Sequence, residues 1–168
     1  MQAEGVKVCA ELCEDQAFIR VLDQLASSIA MKIGIANDNL SRDSTRQNQE
    51  LGAVIYHRSA RRGLLGIGSK PERYEVSRVG TDVPLLASVG VQNGFATSYT
   101  KISESEHVVA VVIGLPLNAK LHILSMSSHQ NYWISYAKKV DKPVFLVGTG
   151  QMAGTRFIVH NGQFKRLR

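Results

Sequence analysis

From residue 51 onward the chain is built of short β-branched and apolar runs punctuated by glycine, and this texture constrains its fold more than any other feature. Runs at 53–56, 74–79, 85–91, 95–102, 108–113, 121–124, 144–147 and 156–160 have the length and composition of strands. The last run extends to Phe164 with Asn161-Gly162 inside it, a pair that supplies the backbone freedom of a tight turn, so the final runs, 144–147 and 156–164, read as hairpin-like. One helix interrupts the series: Tyr132, Trp133, Tyr136, Ala137 and Val140 recur at helical spacing near 130–140, with Lys138 and Lys139 in the last turn.

Upstream the period changes. From Asp15 to about Lys32, Phe18, Val21, Leu22, Leu25 and Ile29 form an apolar stripe at three- and four-residue spacing, with Arg20, Asp23, Gln24 and Ser27 on the other face. Asp15 is placed to cap this amphipathic helix and Gly34 to end it. The segment 37–50 holds one apolar residue, Leu40, and reads as a polar connector. The expected fold is therefore α+β: an N-terminal amphipathic helix packed on a strand-rich, mostly antiparallel two-sheet domain. A single domain spans 1–168, with a helical part at 1–36, the connector at 37–50 and the core at 51–168.

A chain of 168 residues with 44% hydrophobic and 20% charged residues can bury a core without disulfides or metals. Its two cysteines, Cys9 and Cys13, are four apart and ill-placed for a bridge, which fits a reducing compartment. The first fourteen residues lack the charged start and apolar core of a secretory signal. The expectation is a soluble, cytoplasmic protein, or one exported without such a signal. The longest apolar stretch, 108–117, is broken by Gly114 and Pro116 and is too short to span a membrane. The net charge of +6 favours an acidic or phosphate-bearing partner: a nucleotide, lipid headgroups, an acidic protein surface or nucleic acid. Much of that charge lies between Arg58 and Arg78, where Arg58, Arg61, Arg62, Lys70, Arg73 and Arg78 face only Glu72 and Glu75.

Gly63-Leu-Leu-Gly-Ile-Gly-Ser-Lys70 has the glycine spacing of a phosphate-binding loop. There, however, lysine must precede the hydroxyl, and Ser69-Lys70 reverses the order, leaving a glycine-rich turn with a basic flank. Gly148-Thr-Gly150-Gln-Met-Ala-Gly154 follows a strand, as a dinucleotide fingerprint does, but only fourteen residues remain after it, too few for a βαβ unit. His57, His107, His122, His129 and His160 lack metal-ligand spacing, and no metal is expected.

Taken in order, Val54-Ile-Tyr-His-Arg58, Gly94-Phe-Ala-Thr-Ser-Tyr99, and Val144-Phe-Leu-Val-Gly-Thr-Gly150 with Thr155-Arg-Phe-Ile-Val159 resemble the strands of the ADP-ribosyltransferase fold, in its arginine–serine–glutamate branch. The resemblance covers about 51–168 and implies NAD as substrate, with ADP-ribose passed to a protein or nucleic-acid acceptor. It places His57 or Arg58 on the dinucleotide phosphates, where a guanidinium fork suits the charge. Thr97, Ser98 and Tyr99 fall around the nicotinamide ribose, and Asp141 takes the first carboxylate position. The sequence departs from the pattern: Pro143 stands where the catalytic glutamate belongs, and Glu104 and Glu106 form an alternative pair close after Ser98. Two further classes follow from the same residues. One is a catalytically inactive relative, or an unrelated α+β module, holding a protein or peptide through the cleft and the 58–78 basic stretch. The other is a basic nucleic-acid-binding domain, which lacks an accompanying motif.

Overall fold

In a computed structural model, which describes residues 11–39, 51–69, 71–77, 102–103, 105–115 and 119–167, Asp15 caps the first long helix, α1 (Gln16–Asn39). Its carboxylate accepts from the backbone N–H of Ala17 at 2.9 Å and of Phe18 at 3.3 Å, satisfying donors that the first helical turn leaves open. The helix does not stop at Gly34 but continues to Asn39. One glycine costs a helix about 1 kcal/mol, and the buried stripe of Phe18, Leu22, Leu25, Ile29 and Ile33 outweighs it. The first residues of the expected connector, 37–39, are therefore helical, and its remainder lies outside the described residues.

Strands β1 (Leu51–Arg58), β2 (Arg73–Val76) and β3 (Val108–Gly114) follow, then helices α2 (Leu121–Leu124) and α3 (Ser127–Val140), then strands β4 (Val144–Val147), β5 (Arg156–His160) and β6 (Gln163–Leu167). The strands join in the order β2-β1-β3-β4-β5-β6. Only the β3–β4 pair is parallel, reached through the α2–α3 crossover; every other neighbouring pair is antiparallel. The protein is thus α+β as expected, but the described strands form one sheet rather than two. The reason is visible in β3 and β4, which are apolar on both faces and buried along nearly their whole length. Helices, not a second sheet, cover both faces.

On one face α1 packs Phe18, Leu22, Leu25 and Ile29 onto Ala53, Ile55, Ala110, Val112 and Phe145. On the other, Leu124, Trp133, Tyr136, Ala137 and Val140 cover Val111, Ile113, Val144, Leu146 and Val159. Gly114 permits the first of these contacts: a Cβ there would stand 2.2 Å from Ile29 Cγ2 and 2.9 Å from Ile33 Cδ1.

One expected strand is overturned. The run 121–124 is a helix, with only Leu124 buried, because four apolar residues carry no periodicity of their own and the chain must cross a sheet face here. Of 85–91 and 95–102, only Ile102 falls among the described residues, and it lies in a helical turn. The expected turn at Asn161-Gly162 is present, with φ of 49° and 75°, and joins β5 to β6.

The pairing registers gather one set of loops at one end of the sheet: the β1–β2 connection, Ser105–His107 before β3, Asp141–Pro143 before β4, and the β5–β6 turn. Among the described residues no helix is long and apolar enough to cross a membrane.

Candidate docking site

Among the described residues, the β1–β2 connection carries the most unusual surface. Leu64, Leu65 and Ile67 are 88%, 93% and 79% exposed. Scattered exposed leucines are ordinary, but three large apolar side chains within four residues on one turn are not. The segment is wound tightly upon itself as a single 3₁₀ turn, Leu64–Gly66. Gly66 N–H donates to Gly63 O at 3.3 Å and Ile67 N–H to Leu64 O at 3.1 Å. Ser69 closes the loop: its hydroxyl accepts from Gly63 N–H at 3.2 Å and donates to Gly66 O at 3.3 Å.

The glycines make this winding possible. A Cβ on Gly63 would fall 1.6 Å from Ile67 O, and Gly66 and Gly68 hold φ of 81° and 76°. Leu65 adopts φ 56°, a conformation that a leucine takes only under constraint. Arg61 and Arg62, both exposed, stand immediately before the turn. The phosphate-loop spacing thus builds an apolar tip at the end of a hairpin, with no helix following it.

Behind the tip, the hairpin is fastened by charge. His57 and Arg58 point to opposite faces of β1. His57 lies against the Tyr74 ring, 5.3 Å between centroids, with Nε2 2.6 Å from Glu72 Oε1. Arg58 stacks over Tyr56 at 5.5 Å and donates through Nε to Glu75 at 3.3 Å. Arg73 donates to the same carboxylate at 2.7 Å. Arg73 first, and then Arg58, hold the Glu75 carboxyl below the usual glutamate range. The β1–β2 pairing runs unbroken through these residues, so their side chains alternate between faces in the ordinary way of a strand.

Asp141 lies elsewhere at the same end of the sheet. It caps α3 in the left-handed conformation, φ 51° and ψ 38°, and its N–H donates to Ala137 O at 2.9 Å. Its side chain borders a groove of about 520 Å³ with Lys138, His160, Asn161 and Gln163. The groove does not include Arg58 or His57. Pro143, at the position the resemblance gives to the catalytic carboxylate, is buried at the entry to β4, and its carbonyl accepts from Val111 N–H at 2.9 Å. Thr97, Ser98 and Tyr99 lie outside the described residues, as does Glu104. Among the described residues no group of three or more His, Cys, Asp or Glu is placed to hold a metal ion.

Of the expected site residues that are described, His57 and Arg58 do not line the groove that Asp141 borders. The segment 63–70 reads in the sequence as a glycine-rich turn, a reading made without regard to its apolar side chains. Their signal was present all the same: two leucines and an isoleucine interleaved with glycines in a segment too glycine-rich to be anything but a surface turn.

No family model matches the chain, and neither the curated proteins nor the solved structures provide a match.

Proposed function

We propose that this chain is a docking module, closest to the non-catalytic reading of its sequence, that engages another macromolecular surface through the β1–β2 tip. One observation carries the reading: Leu64, Leu65 and Ile67 stand almost wholly in water on a turn whose backbone is already fixed by its own hydrogen bonds. Burying a leucine or isoleucine side chain is worth about 1.5–3 kcal/mol each. Because the turn is pre-ordered, less of that gain is lost to immobilising the loop on contact. The buried Pro143, and the engagement of His57 and Arg58 by Glu72 and Glu75, support docking over catalysis.

The test is a photo-crosslinking side chain at position 65, compared with one at the exposed Gln151 on the opposite end of the sheet. Adducts at 65 and none at 151 are expected in the native cell. Adducts at neither, or equally at both, would overturn the reading.

A second reading, NAD binding with ADP-ribose transfer to a macromolecular acceptor, draws support from the placement of Arg58 and Asp141 at the same end of the sheet. Titration with NAD and assay of its turnover decide it. Absence of both binding and turnover at high protein concentration would sink it.

A further inference from the structure

Resting on the docking reading above, we infer that the surface engaged by the tip is an anionic lipid bilayer. Leu64, Leu65 and Ile67 each keep most of their area exposed, so they shield one another little and splay apart from the turn. A fluid apolar phase closes round divergent side chains from every direction, whereas a protein pocket would have to be matched to all three.

The backbone of the tip is suited to the same phase. The N–H groups of Gly63, Gly66 and Ile67 and the carbonyls of Gly63, Leu64 and Gly66 are bonded within the loop. These six groups carry their partners with them into the acyl boundary, which lowers the main cost of placing irregular backbone in lipid.

Charge gives the orientation. Arg61 and Arg62 flank the apolar tip at headgroup depth, where guanidinium groups meet phosphates. Lys138, Lys139 and Lys142 lie at the same end of the sheet, as do the carboxylates of Glu106 and Asp141. Glu72 and Glu75 there are engaged by His57, Arg58 and Arg73. Apolar insertion joined to basic attraction is the two-signal arrangement that peripheral membrane binding needs, since either alone is weak.

The experiment is co-sedimentation of the full chain with phosphatidylcholine vesicles, with and without phosphatidylserine. Binding is expected only with phosphatidylserine. The pair Leu65→Ser and Ile67→Ser should lower the partition by roughly tenfold or more, since two buried aliphatic side chains are removed from the lipid. The pair Arg61→Ala and Arg62→Ala should also lower it, by roughly twenty-fivefold, about fivefold for each charge near an anionic surface. Because all four positions are exposed, an unchanged thermal unfolding midpoint confirms that each variant is folded. Failure of the wild-type chain to sediment with either vesicle overturns the bilayer proposal, and so does undiminished binding of the serine pair. Protein adducts from position 65 without vesicle binding would overturn the bilayer while leaving the docking reading standing. No adducts and no vesicle binding would remove both.

Discussion

Thr149 is the one buried polar side chain among the described core residues, at 2% exposure, and its hydroxyl donates to Leu115 O at 2.7 Å. That bond links the chain just beyond β4 to the chain just beyond β3. Removing the donor while keeping the shape leaves a buried carbonyl without its partner, a loss of about 1–3 kcal/mol. Thr149→Val should therefore lower stability by about that amount, and Thr149→Ser by less; urea unfolding of the two variants measures the difference. Residues whose role depends on near neighbours were readable in advance: Asp15 as a cap and Asn161-Gly162 as a turn obey local rules. Asp141, which the resemblance places at a carboxylate position, caps α3 in the structure, a place that depends on where α3 ends. Nothing in the residue type alone distinguishes those roles.

At the scale of elements, the contact between α1 and the sheet depends on Gly114. A methyl group there would meet two isoleucine side chains, and the helix would have to lift or its side chains leave their preferred rotamers. Gly114→Ala should destabilise the fold by about 1–3 kcal/mol, the usual cost of overpacking a filled core, as a lowered midpoint in thermal unfolding. Strand existence was legible through β-branched runs, and β4 and β5 start and end where their runs do. Helical continuation through Gly34 was not, because a glycine reports local cost while the buried stripe that overrides it is tertiary. The same holds for 121–124, where four apolar residues fit either element until the crossover demands a helix.

For the whole molecule, the sequence pattern predicted the α+β class but not the number of sheets, since alternation and apolar runs identify strands without specifying which pair. The face closed by α1 is also tied at its rim by a titratable pair. The Tyr74 hydroxyl donates to Asp15 at 2.7 Å and holds its carboxyl below the ordinary 3.8, helped by the N–H groups of Phe18 and Ala17 and opposed by burial. Burial, and then the bond to Asp15, push Tyr74 upward in turn. A depressed carboxyl stabilises the fold fully above its unfolded value, and that contribution fades as pH falls through the lower, folded value. Below pH 4, therefore, stability should drop more steeply in the wild type than in Tyr74→Phe, as unfolding midpoints across an acid series would record. Equal slopes would show that the pair contributes nothing to acid sensitivity.

An open sheet has two rims, formed among the described strands by β2 and β6. Lys165 and Arg166 project from β6, while β2 holds Arg73 and Glu75 in an ion pair beside Arg58. Pairing another strand onto either rim would crowd these charges against an incoming backbone. The residues that give the molecule much of its positive field thereby also discourage edge-to-edge stacking into fibrils, a hazard for any chain so rich in β-branched runs.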